Sequence, residues 1–95
     1  MPKPFDPLNP ADALAETFRR QVTDIMIAAP NHPAYRACDP IQQVESFMGG
    51  VLTGLIGVLF SHIRPEGRDE IMQAIATYLP QARQNAEAMV DDALG

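Results

Sequence analysis

The chain has 95 residues, with 12 acidic against 7 basic side chains and a net charge of -5. A chain of this size suits one small domain with a modest core. Its negative balance excludes the positive field that phosphate backbones or anionic lipid headgroups require, so no nucleic acid is expected as a partner. The basic residues Lys3, Arg19, Arg20, Arg36, Arg64, Arg68 and Arg83 are scattered instead of forming one patch. Cys38 is the single cysteine, which rules out an internal disulfide and a thiolate cage within one chain. The first ten residues lack an apolar run of signal-peptide length. A soluble protein of the reducing cytoplasm is therefore expected.

Residues 1–9 read as an extended arm. Pro2, Pro4, Pro7 and Pro10 favour an open path, and Phe5 and Leu8 supply apolar anchors that can strap across a partner. A single helical domain over 10–95 follows. Asn9-Pro10 places a cap residue before a proline at the first helical position, where its missing N–H has no intrahelical use. The helix it opens, about 10–29, is amphipathic. Ala11, Leu14, Phe18, Val22, Ile25 and Ala29 recur at three- and four-residue steps on one side. Pro30 and Pro33 end it, and a loop of about ten residues is expected next.

Asp39-Pro40 repeats the start signal and opens a helix expected over 40–63, which sorts its residues by size around the axis. Ser46, Gly50, Thr53, Gly54, Gly57 and Ser61 fall within an arc of about 100°. The rest of the circumference carries Val44, Phe47, Met48, Val51, Leu52, Leu55, Ile56, Val58, Leu59 and Ile63. Each helix-interior glycine costs about 0.5–1 kcal/mol relative to alanine, a serious sum against a domain stability of about 5–15 kcal/mol. Close approach of another helix to the smooth face offsets that cost through added dispersion contacts. The neighbour can be the first helix, the alanine-rich stretch around Ala82 and Ala86, or a second copy of the chain. Coverage favours the copy, because two other helices cannot surround a rod that is apolar on most of its circumference.

The third helix is expected over 66–94. Glu66, Asp69 and Glu70 load its first turn with charge that suits a helix N-terminus. The stripe Ile71, Ile75, Tyr78, Ala82, Ala86, Met89 and Ala93 runs straight through Pro80, predicting a helix kinked or broken there. No strand pattern competes. The reading is all-α: a small bundle of three to four helices, completed by homodimerisation.

A membrane span is weighed against this. Ser46 to Ile63 contains no Asp, Glu, Lys or Arg, and as a helix the stretch covers about 27 Å against a hydrocarbon core of about 30 Å. His62, the serines, Thr53, the glycines and the amphipathic flanking helices argue for a buried helix instead.

Chemistry-bearing residues are sparse. His32, Tyr35 and Cys38 lie close together in the connection, beside Asp39, which reads as a helix cap, and His62 suits the C-terminal end of the central helix. Metal sites offer paired ligands at short spacing, whereas here each type stands alone. No phosphate loop or Gly-x-Ser-x-Gly elbow occurs. No enzyme, cofactor or metal is expected. The expected function is a homo-oligomeric interaction or structural module that works through protein contacts. The alternatives are a binder of an apolar small molecule or acyl chain in a helical crevice, and an enzyme with a site between subunits built from His32, Tyr35, Cys38 or His62.

Overall fold

The computed structural model describes residues 6–94, and no strand occurs among them. The protein is all-α. Helix α1 is Pro10–Ala28, α2 is Pro33–Ala37, α3 is Pro40–Ser61 and α4 is Arg68–Leu94, with single 3-10 turns at Ala29–Asn31 and Pro65–Gly67. The described residues fall into two units, 6–52 and 53–94. The proposed course of the arm over residues 1–5 lies outside the described residues.

In the first unit, side-chain caps fix each helix start. Asn9 Oδ1 accepts from the Ala11 and Asp12 N–H groups at 2.8 and 3.2 Å, satisfying donors that the first turn leaves without an intrahelical carbonyl. The N–H of Asp6 donates to Asp12 Oδ2, which ties the preceding turn to α1. At α3 the capping is reciprocal: Asp39 Oδ1 accepts from the Gln42 N–H at 2.8 Å, and Gln42 Oε1 accepts from the Asp39 N–H at 3.0 Å. Along α1, Glu16 receives Arg19 through two nitrogens and Arg20 Nε at 3.2 Å. The Arg19 hydrogen bonds lower the Glu16 carboxyl to about 2 from 4.5; partial desolvation opposes them, and the charges of Arg19 and Arg20 assist.

The expected ten-residue loop is corrected. It holds the 3-10 turn and the one-and-a-half-turn helix α2, which starts because His32 Nδ1 accepts from the Ala34 N–H at 3.1 Å. His32-Pro33 is thus a third copy of the cap-then-proline signal.

In the second unit, α3 ends at Ser61, short of the expected Ile63. The His62 and Ile63 N–H groups bond back to Leu59 and Phe60 in the tighter 3-10 pattern. The guanidinium of Arg68 lies 5.2 Å from the centre of the Phe60 ring, tying the start of α4 to the end of α3. Helix α4 begins two residues later than expected, after the Pro65–Gly67 turn, and runs unbroken through Pro80. Proline removes one donor there, so the Ala76 carbonyl loses its usual partner while the apolar stripe continues.

No described residue is buried in the single chain. Leu14, Phe18 and Ile25 on α1 remain 54–57% exposed, and Leu52, Leu55 and Val58 on α3 remain 42%, 45% and 60% exposed. By length and composition α3 can cross a membrane, with a mean hydropathy of 1.6 over an 18-residue stretch, a property it shares with core helices of soluble proteins.

Two outcomes follow from the caps and ion pairs. Asp39→Ala removes one half of the reciprocal cap and should cost about 1 kcal/mol, lowering the thermal midpoint by about 4–8 °C for a domain of this size, as followed by circular dichroism. For Glu16 the sign follows from its depressed carboxyl: its contribution is complete above the unfolded value of 4.5 and fades as pH falls towards 2. The difference in thermal midpoint between the native chain and Glu16→Gln should therefore shrink across that interval. A difference independent of pH would contradict the assigned ion pair.

Candidate functional site

Two features collect the residues singled out in the sequence. The first is the smooth face of α3. Ser46, Gly50, Thr53, Gly54, Gly57 and Ser61 all lie within one continuous helix and are all exposed. A Cβ placed on Gly49, Gly50, Gly54 or Gly57 would meet no atom within 4 Å beyond its chain neighbours and local helix backbone. The described residues leave these positions open. Ser46 and Ser61 do not compete for water on this face, because each hydroxyl donates into its own helix, to Gln43 O at 3.1 Å and Val58 O at 2.6 Å. Both ends of the face thus present a short side chain whose proton is already engaged.

The second feature is an open crevice of about 540 Å³ in the first unit, where the end of α1, the 3-10 turn, α2 and the start of α3 meet. Its walls include Ile25, Ala28, His32, Tyr35, Cys38 and Gln43. The volume falls in the range of small-molecule sites, and the lining is mostly apolar. Three of the sequence-derived candidates, His32, Tyr35 and Cys38, therefore come together. His62 does not join them; it belongs to the other unit, at the end of α3.

The His32 ring and the Gln43 amide in the crevice each have a structural task. Because His32 Nδ1 accepts from a backbone N–H, the neutral ring carries its proton on Nε2, and that nitrogen cannot withdraw a proton while the cap is intact. No hydrogen bond joins the Cys38 thiol to the His32 imidazole or the Tyr35 phenol, the link that an activated nucleophile needs. Gln43, a residue with no motif to mark it in the sequence, holds the corner: its Nε2 donates to Tyr35 O at 2.9 Å and Cys38 O at 3.2 Å. One glutamine on α3 thereby satisfies two carbonyls at the end of α2. At the other end of α3, His62 Nδ1 lies 2.8 Å from Val58 O, a contact that requires the proton on Nδ1. Among the described residues no group of His, Cys, Asp and Glu could hold a metal ion.

No family model matches the chain, and comparisons with curated proteins and with solved structures find no match. The site therefore stands on its geometry.

The Gln43 contacts generate a direct check. Gln43→Ala leaves two carbonyls without their side-chain donor, at about 0.5–1.5 kcal/mol for each hydrogen bond lost. The half-buried Cys38 thiol should then react with a disulfide reagent a few-fold faster than in the native chain. An unchanged labelling rate would show that Gln43 does not hold α2 in place.

Proposed function

We infer that the protein is a homo-oligomeric helical module whose work is done through protein contacts, with the open face of α3 set against a second copy of the chain. The observation that carries this reading is that no described residue is buried, although α1, α3 and α4 each expose large apolar side chains. Exposed apolar surface on this scale marks an interaction surface. Large apolar side chains left this exposed gain cover when another surface lies against them, and a second copy is the commonest source for small soluble proteins.

The glycine face supports the same reading. Backbone freed of side chains offers a neighbour close contact along the helix, and nothing among the described residues takes up that space. The crevice supports a second reading, in which an apolar small molecule or acyl chain lies against Ile25, Ala28 and Tyr35. Under it, native mass spectrometry of the purified protein would find a bound lipid-like mass that organic extraction removes.

Light scattering on the purified chain separates the two. Assembly predicts at least twice the chain mass at micromolar concentration, and a single-chain mass would overturn it. Gly54→Leu, which sets a large side chain on the face, should abolish assembly or folding, whereas Ser46→Ala should leave the mass unchanged. Equal tolerance of both changes would contradict close approach at this face.

A further inference from the structure

Helix α3 is close to a mirror image of itself in sequence. Reflection about the Thr53–Gly54 peptide bond exchanges Ser46 with Ser61, Gly50 with Gly57, Phe47 with Phe60 and Leu52 with Leu55. Val44, Met48 and Val51 map onto Ile63, Leu59 and Ile56, which are residues of similar bulk and character. Gly49 opposite Val58 is the one pair that differs in bulk beyond the central Thr53 and Gly54, and it lies at the margin of the smooth face.

This order bears on how two copies can pair. In a parallel pair every residue lies level with its own copy, so small meets small whatever the order along the helix. An antiparallel pair sets each residue level with its reflection, and small meets small at every level only if the order reads alike in both directions. The order of α3 meets that second, stricter condition. The helix dipoles favour the same arrangement: a parallel pair aligns them, and an antiparallel pair opposes them.

We propose that the occupant of the open α3 face is a second copy of the chain running antiparallel, with the two-fold axis between Thr53 and Gly54. Ser46 then lies level with the partner's Ser61 and Gly50 with the partner's Gly57. The central Thr53 of one protomer lies beside Thr53 of the other. The proposal rests on the assembly reading above and adds orientation and register to it.

Cysteine cross-linking in a Cys38→Ser background tests orientation and assembly separately. Thr53→Cys should link to itself under mild oxidation in most chains, because that position sits at the axis in either orientation. Ser46→Cys alone should link at least ten-fold less, since the antiparallel pair separates its two copies by about 22 Å along the axis. Mixing Ser46→Cys with Ser61→Cys chains should restore linking, as 46-to-61 products. Self-linking of Ser46→Cys as strong as that of Thr53→Cys would overturn the antiparallel register while leaving assembly in place. Failure of Thr53→Cys to link, at single-chain mass, would overturn both. Should a cysteine on the strip disturb the helix, a nitroxide at the exposed position Ile41→Cys, outside the strip, reads the same geometry. The proposal expects about 37 Å between copies, and less than about 20 Å would overturn it.

Discussion

The constraint on which the rest depends is an apolar helix of 22 residues none of which is buried. Its bulky side chains call for removal from water at about 25 cal/mol per Å². Its glycines raise the backbone entropy lost on ordering. No side chain of α3 is buried among the described residues. Under the assembly proposed above, folding and association are one equilibrium: a partner that binds only the ordered state stabilises it in proportion to the logarithm of its concentration, and in a self-associating chain that partner is the chain.

Local structure prepares this helix without burying it. The Asp39–Gln42 reciprocal cap fixes its first turn, and Gln43 ties that turn to α2 through two carbonyls. At the other end, the 3-10 bonds of His62 and Ile63 and the stacking of Arg68 on Phe60 set where it stops. These are contacts between residues near in sequence, and they form without a tertiary core. They account for an ordered helix boundary in a chain whose apolar side chains remain exposed. In the proposed assembly, association would act on helices whose ends are set locally, which lowers the conformational entropy lost on association.

The helix starts were legible because their physics is local. Asn9-Pro10 and Asp39-Pro40 announce themselves through a side-chain acceptor and a residue with no N–H to satisfy, and both helices begin where that signal stands. His32-Pro33 carries the same device and was passed over, because an imidazole is not among the preferred caps; only the geometry reveals Nδ1 accepting from Ala34. The helix ends were less legible. Pro65 marks that α3 must stop, but the switch of His62 and Ile63 to 3-10 bonds, which sets the end at Ser61, is not legible from the pattern. Pro80 shows the reverse case, where a strong breaker is overridden by good helix formers on both sides. The smooth face of α3 was readable as a face from periodicity alone. Its cover was not, because a pattern of small and large residues states what must be covered and not which surface does it.

The candidate crevice shows why residues that look reactive in a sequence need not be reactive in space. His32, Tyr35 and Cys38 do converge there. Yet the imidazole nitrogen that could act as a base is the one capping α2, and no hydrogen bond links the Cys38 thiol or the Tyr35 phenol to it. A catalytic role for His32 would require releasing Ala34 and with it the first turn of α2, so chemistry and fold compete for one nitrogen. On α3 no such competition exists. Ser46 and Ser61 have turned their hydroxyl protons into their own helix, and the glycines between them present backbone that is already fully hydrogen-bonded. A face of little side-chain volume, whose two serine protons are engaged within the helix, offers a polar ligand few groups. What it offers is proximity, and a helix of the same shape can use that along its whole length.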